Sequence, residues 1–265
     1  MNLPRAKKQL GQHFLHDEKV IQGITQDDWA RECDAIIEIG PGPAVLTKFL
    51  SLKEKPYFVI EKDTSFKPYL EKFVKTENII FTDALDFNWP SFFTKNNLLD
   101  KKIWLVSNLP YNVGTVLYTQ FMQISQIHYM TLMFQKEVGD KTYQKNDAVQ
   151  MNGLYFLSQN YFESRKLLSV LPGSFTPPPK VDSVVVSYKR RNTPDIGIDS
   201  YKALNTFTRN LFGMKRKQVG RVLKSFLAGE KVESILDENN IDKSRRAETL
   251  TYDEVLSLFN STRKI

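Results

Sequence analysis

Short apolar runs rich in β-branched residues alternate with longer amphipathic stretches through the first two-thirds of the chain, and then the alternation stops. The runs at 35–39 (Ala-Ile-Ile-Glu-Ile), 57–60, 103–106 and 129–134 predict buried strands. Between them, residues 45–52, 65–75 and 115–123 carry apolar side chains at helical spacing. Such alternation implies a mostly parallel sheet with helices on both faces. A further β-branched run at 184–188 follows a proline-rich turn and predicts a late strand. Residues 190–197, with Asn192, Pro194 and Gly197, read as a linker. Beyond it only helical patterns remain, at 201–212, 219–226, 232–239 and 252–259. The expectation is an α/β, Rossmann-like domain over 1–190 and a small all-α domain over 191–265.

Composition excludes several classes. A chain of 265 residues with 41% hydrophobic residues can build a substantial core. No stretch approaches the roughly 18 consecutive apolar residues needed to span a bilayer, and the N-terminus does not read as a signal peptide. The lone cysteine, Cys33, cannot form an internal disulfide and points to a reducing compartment. Together with His13, His16 and His128 it offers too few ligands at the usual spacing for a zinc site. A cytoplasmic protein without membrane or metal is expected. The net charge of +7 is unevenly placed: 16 Lys and Arg stand against 10 Asp and Glu after Tyr188, but 21 against 20 before it. That asymmetry points to a polyanionic partner met by the C-terminal part.

The first strand runs directly into Gly40-Pro41-Gly42-Pro43-Ala44. Glycines there let the backbone approach a ligand and aim helix N-terminal N–H groups at it. The third glycine of a dinucleotide fingerprint is missing, with Ala44 and Val45 in its place, so a ligand without a pyrophosphate fits better than NAD. A two-glycine turn alone is equally compatible with a structural β-turn. The second strand places Glu61 at its carboxyl tip, where a carboxylate can accept both hydroxyls of an adenosine ribose; a solvated strand-end charge is the alternative. A third strand, Ile79-Ile80-Phe81-Thr82, leads into Asp83, whose side chain can reach an adenine amino group. The adjoining Ala84 is counted with the expected cofactor contacts. Adenosine with a short, phosphate-free tail describes S-adenosylmethionine.

The fourth strand ends in Asn108-Leu109-Pro110-Tyr111-Asn112. An exocyclic adenine amine is a poor nucleophile because its lone pair is delocalised into the ring. The Asn108 side-chain oxygen and the Leu109 carbonyl can accept its two N–H bonds and aim that lone pair. Pro110 fixes φ and holds the loop, and Tyr111 offers a face on which a flipped-out base can stack. A second aromatic is expected on the other face of the base, and Phe175 is placed for it by the rigid run Thr176-Pro177-Pro178-Pro179-Lys180-Val181-Asp182-Ser183. The same prolines also read as a stiff connector. Lys180 is suited to a phosphate and Asp182 to a neighbouring backbone group.

Between Arg209 and Lys224 there are six basic residues and no acidic one. Lys217, Arg221 and Lys224 fall on one face of a predicted helix, opposite Val219, Val222, Leu223 and Phe226. With Lys215 and Arg216 they form an expected RNA-binding surface, which Lys7, Lys8, Arg245 and Arg246 extend.

Taken together, these motifs, with Gln9-Leu10-Gly11-Gln12-His13-Phe14-Leu15, Phe134-Gln135-Lys136-Glu137-Val138 and Phe207-Thr208-Arg209-Asn210-Leu211-Phe212, resemble the KsgA-type rRNA adenine dimethyltransferases over nearly the whole chain. The resemblance implies a class I S-adenosylmethionine methyltransferase sheet. It also implies dimethylation of two adjacent adenosines in a hairpin loop near the 3′ end of 16S rRNA. It implies cofactor contacts at His13, Leu15, Gly40, Glu61, Asp83 and Asn108, to which the glycine turn adds Gly42. The partner it implies is small-subunit rRNA or the immature 30S particle, met by a monomer. Two departures stand out. Family members often carry Asn where this chain has His13, and the stretch 139–156 lacks the family's usual Arg-Leu pair and Tyr-Gly-Arg-Leu-Ser-Val-like run. The competing readings are an antibiotic-resistance methyltransferase of large-subunit rRNA and a non-catalytic ribosome-assembly factor. A DNA adenine methyltransferase would more typically carry Asp-Pro-Pro-Tyr at the reacting loop.

Overall fold

The computed structural model describes Lys7, residues 11–143 and residues 150–263. Nine strands occur among them: β1 (Phe14–Leu15), β2 (Ala35–Ile39), β3 (Tyr57–Glu61), β4 (Ile79–Phe81), β5 (Ile103–Asn108), β6 (Ile127–Gln135), β7 (Phe162–Val170), β8 (Phe175–Thr176) and β9 (Ser183–Arg190). Seven form one sheet in the order β4-β3-β2-β5-β6-β9-β7, and β1 pairs with β8 apart from it. The first four pairings are parallel and the last two antiparallel, so the sheet is mostly parallel with a reversed edge. Every residue of β2 and β3 is buried, as expected of central strands covered on both faces. Ile24, Ile36, Leu50, Val59, Leu70, Trp104 and Val106 belong to the resulting core.

Local chemistry sets where the elements begin. Asp17 caps the helix Glu18–Thr25 by accepting from the Lys19 and Val20 amides, and also accepts from the Ser174 hydroxyl. The helix expected at 45–52 is confined to Thr47–Leu50, because Gly40, Gly42 and Ala44 all adopt positive φ and delay its start. The helix expected at 65–75 is a 3-10 turn, Thr64–Phe66, running into a short helix, Lys67–Leu70, with Pro68 in its first turn. β7 is a strand that periodicity did not announce. It lies at the sheet edge, carries a bulge between Lys166 and Leu168, and alternates poorly between buried and exposed positions.

The chain divides into two compact units. The sheet unit contains Lys7, residues 11–143 and Phe162–Arg190; the helical unit contains residues 150–161 and residues 191–263. The boundary drawn from sequence had left residues 150–161 with the sheet. In the structure Gly153–Tyr161 is a helix whose Phe156 ring stacks on Tyr252 at 4.7 Å, and whose buried Asn160 exchanges two hydrogen bonds with the Ile196 backbone. The other helices of this unit include Tyr201–Gly213, Val219–Lys224, Gly229–Glu238 and Tyr252–Arg263, with Phe207 packed against both Phe226 and Phe259.

Among the described residues, no helix is long and apolar enough to cross a membrane, and no cluster of three or more His, Cys, Asp or Glu is arranged to hold a metal ion.

Candidate active site

Four neighbouring strands, β4, β3, β2 and β5, end on one side of the sheet, and a cavity of about 220 Å³ lies at their carboxyl ends. Chain order reverses between β2 and β5, and such a switch point leaves a crevice in an open α/β sheet. The cavity is lined by His13, Leu15, Gly40, Gly42, Glu61, Asp83, Ala84, Asn108, Leu109, Pro110 and Tyr111.

The floor is the glycine turn. Gly40 and Gly42 have φ of 63° and 53°, which favour glycine, and no protein atom lies within 4 Å of where a Cβ would stand on either. The turn is tied to the tip of β3, because Gly42 N–H donates to Glu61 Oε2 at 2.9 Å while Asp63 N–H donates to Oε1 at 2.7 Å. Glu61 is buried, which raises its carboxyl above the usual range against the pull of these amides. Asp83 keeps its carboxyl low through Lys62, whose Nζ stands 2.6 Å away, and through the Leu85 amide at 2.9 Å.

Two acidic residues beside these were not singled out as site residues from sequence. Glu38, 1% exposed in the middle of β2's run into the turn, lines the cavity and accepts from the Thr47 hydroxyl at 2.8 Å and from the Tyr57 hydroxyl. Burial pushes its carboxyl up to about 7, with the Glu61 charge adding to the effect. A glutamate at an otherwise apolar strand position was the available signal. Asp63 anchors the segment before β1. Burial opposes its ionisation, but Lys7, Ser65 and Gln12 outweigh this and bring it down to about 2.

The Asn108 amide donates from Nδ2 to the His13 carbonyl at 3.3 Å, and no donor reaches its Oδ1 among the described residues. Tyr111 is half-buried, its hydroxyl 2.5 Å from Ser183 Oγ, and burial raises its ionisation. Phe175, expected from sequence on the far face of the base, lies behind the cavity wall. It is 2% exposed, belongs to the core with Phe14 and Leu15, pairs through β8 with Leu15, and does not line the cavity. Its neighbours Lys180 and Asp182 are exposed and half-buried respectively, and Asp182 presents its carbonyl to the Lys136 amide.

In the helical unit, Lys215, Arg216, Lys217, Arg221 and Lys224 are all exposed. The expected single helical face is corrected: Lys217 precedes the helix, which starts at Val219 and holds only Arg221 and Lys224. Lys224 is moreover paired with Glu233 at 2.8 Å, nine residues on. Arg245 and Arg246 likewise have carboxylate partners, Glu254 and Glu248. Lys7 lies in the sheet unit, on Asp63, and Lys8 lies outside the described residues.

Comparison with known proteins bears on this arrangement. The family described as ribosomal RNA adenine dimethylase matches residues 4–264. A protein of Clostridium botulinum (strain Okra / Type B1) named ribosomal RNA small subunit methyltransferase A is 35% identical over 257 residues, covering 94% of this chain and 91% of that protein. Its namesake in Staphylococcus carnosus is 32% identical over 273 residues, with 97% and 90% covered. Two solved structures share the fold. One is a dimethyladenosine transferase from Plasmodium falciparum (TM-score 0.75, 20% identity, 95% and 98% covered). The other is the 23S rRNA methyltransferase ErmE (TM-score 0.68, 22% identity, 94% and 98% covered).

Proposed function

Because the chain belongs to the ribosomal RNA adenine dimethylase family, we propose that its cavity binds S-adenosylmethionine and that it dimethylates N6 of two adjacent adenosines near the 3′ end of 16S rRNA. The observation that carries this reading is the convergence of Glu61, Asp83, the glycine turn and Asn108-Leu109-Pro110-Tyr111 on one cavity at four adjacent strand ends.

The residues present fit the cofactor. An open floor at Gly40 and Gly42 admits a ligand against backbone, and Glu61 keeps acceptor positions beyond the two it spends on amides. Glu61 would hold the ribose hydroxyls, Asp83 and Ala84 the adenine edge, and Leu15 and His13 the side nearest the N-terminal segment. When bound, S-adenosylmethionine supplies an electrophilic methyl group on a sulfonium that departs as a neutral thioether. For the first transfer Asn108 Oδ1 and the Leu109 carbonyl accept the two N–H bonds of the target amine, so its lone pair is drawn out of conjugation with the ring. Each methylation releases one N6 proton to solvent, and a single N–H remains to be held for the second. Pro110 restricts the loop that carries both acceptors, and Tyr111, fixed by Ser183, stacks on the base. Alignment of this kind can lower a barrier by roughly 7–11 kcal/mol. Lys215, Arg216, Lys217 and Arg221, exposed and without carboxylate partners among the described residues, contact rRNA phosphates in the immature 30S particle. The protein acts as a cytoplasmic monomer.

Small-subunit relatives favour 16S over large-subunit rRNA. The test is mapping of dimethyladenosine in rRNA from cells with and without this gene. Loss of two adjacent dimethyladenosines from 16S rRNA in the deletion supports the reading, and loss from 23S rRNA replaces it. Purified protein that binds S-adenosylmethionine yet transfers nothing to unmethylated small subunits would mark an assembly factor.

A further inference from the structure

The sheet unit has a second cavity, of about 480 Å³, at the end of the sheet opposite the glycine turn. Its wall includes Asp27, Arg31, Cys33, Lys53, Lys55 and Trp104. Cys33 lies two residues before β2, Lys55 two before β3, and Trp104 is the second residue of β5, so the cavity stands at the amino ends of these strands. The five residues of β2, at about 3.3 Å each, put roughly 16 Å of strand between it and the cavity at their carboxyl ends. The two cavities therefore take separate ligands.

The charges in this wall are unbalanced. Three cations stand against one carboxylate, and that carboxylate is already engaged. Asp27 Oδ1 accepts from the Trp29 amide at 3.2 Å and from Arg165 at 3.1 Å, and Oδ2 accepts from the Thr131 hydroxyl at 2.7 Å. The Thr131 oxygen in turn accepts from Trp104 Nε1 at 2.9 Å, which fixes the indole. Lys53 Nζ stands 5.5 Å from the centroid of the Trp104 ring, and Lys55 Nζ donates to the Arg31 and Cys33 carbonyls. Both ammonium charges act on the Cys33 thiol, against the rise that its burial causes. Arg31 is exposed and pairs with no carboxylate among the described residues. Lys55 thus keeps one N–H donor, while Lys53 and Arg31 keep all of theirs.

Like charges gathered without counter-ions repel, and an anion relieves them. Several donors around one point suit a doubly charged group with several acceptor oxygens, and the guanidinium fork matches phosphate in particular. The volume is typical of small-ligand sites and exceeds what a bare phosphate fills.

We propose that this cavity binds a nucleotide unit through its phosphate, held by Arg31, Lys53 and Lys55, with the sugar in the remaining space beside Trp104. The ligand is either a free nucleotide or a nucleotide of the rRNA chain. The site goes beyond the adenine-methylation reading and does not depend on it. An rRNA nucleotide held here fixes the sheet unit on its substrate at the end away from the reacting loop.

Cys33 is the single cysteine of the chain and lines this cavity, so its alkylation by N-ethylmaleimide reads occupancy there. The full-length protein is alkylated in the presence of uridine 5′-monophosphate, of uridine, and of small ribosomal subunits from cells lacking the gene. The comparison variant is Arg31→Gln with Lys53→Gln, which removes two charges whose side chains make no hydrogen bond among the described residues. The nucleotide at ten times its dissociation constant is expected to slow wild-type alkylation about tenfold, by simple occupancy. The variant is expected to need roughly tenfold or more nucleotide for the same protection, and uridine should protect neither protein. Protection by free nucleotide, with the particle's salt slope unchanged in the variant, assigns a free ligand. Protection by the particle, lost in the variant together with about 1.5 of the salt slope, assigns an rRNA phosphate. The proposal is overturned if neither nucleotide nor particle slows alkylation of the wild-type protein, or if uridine protects as well as its monophosphate. The nucleotide measurement involves no methyl transfer, so its outcome is independent of whether the protein methylates adenine.

Discussion

Glu61→Gln tests the cofactor assignment at a single carboxylate. Each Glu61 oxygen already accepts one backbone N–H, from Gly42 at 2.9 Å and Asp63 at 2.7 Å. A carboxylate has about four acceptor positions, so one on each oxygen remains for a ribose hydroxyl. Glutamine keeps one oxygen and replaces the other by an NH₂ group, which sets donor against donor at either Gly42 or Asp63. The variant therefore loses one ribose acceptor and one bond bracing the turn. Hydrogen bonds to a charged group contribute about 1.5–3 kcal/mol, so the ribose part alone predicts roughly 10- to 150-fold weaker S-adenosylmethionine binding. The bracing part predicts about 1–3 kcal/mol lower stability without ligand, because a buried N–H loses its partner. Calorimetry with S-adenosylmethionine and with its 2′,3′-dideoxy analogue separates the two. The variant should lose much more affinity for the natural cofactor than for the analogue. Equal losses for both ligands would refute the ribose contact and leave Glu61 as a brace only.

Asn108→Ala should reduce methyl transfer by about 10²- to 10³-fold, the usual result of removing one positioned hydrogen-bond partner, while RNA binding persists; near-normal single-turnover rates at saturating cofactor would remove Asn108 from the mechanism. Lys217→Glu with Arg221→Glu should flatten the slope of log affinity against log salt by about 1.5, for two phosphates at roughly 0.7–0.9 each, and an unchanged slope takes these residues off the RNA surface. Lys224→Glu should change it less, since Glu233 already holds that charge. Glu38 also sets a pH dependence of stability. Its folded-state carboxyl titrates near 7 against 4.5 ordinarily, so its contribution is fully present below pH 4.5 and is lost as pH rises through 7. The difference amounts to about 3 kcal/mol. Urea unfolding at pH 5 and pH 8 should show Glu38→Gln with a flatter pH dependence than wild type, and parallel curves would contradict the burial argument.

The parts of this fold that could be read from sequence are those where one physical requirement dominates. β2 appears at 35–39 as expected, because a central parallel strand must be apolar on both faces. The strand tips at Glu61, Asp83 and Asn108 were legible because a polar residue closing an apolar run stands out. β7 was not, since an edge strand with a bulge carries Glu163, Arg165 and Lys166 without cost and loses its alternation. The burial of Phe175 was not legible, because a rigid proline run says that a side chain is held, not which way it faces. The basic helix was overread for a related reason. Periodicity extended it back over Lys217, and Glu233, on the next helix, is invisible to a pattern drawn on one.

The helical unit is assembled from two stretches of chain separated by the last two strands of the sheet. This has a consequence for how the protein is made. Phe156 leaves the ribosome about a hundred residues before Tyr252, the ring it stacks on. At 5–20 residues per second, the helix Gly153–Tyr161 waits roughly 5–20 s for that partner, with Phe156, Leu157 and Tyr161 lacking the surroundings that bury them in the finished unit. The sheet's closing strands, β7 and β9, emerge within that interval. The natural order of synthesis thus completes the sheet first and the helical unit last. A fragment starting at residue 191 would be born without its own inner helix.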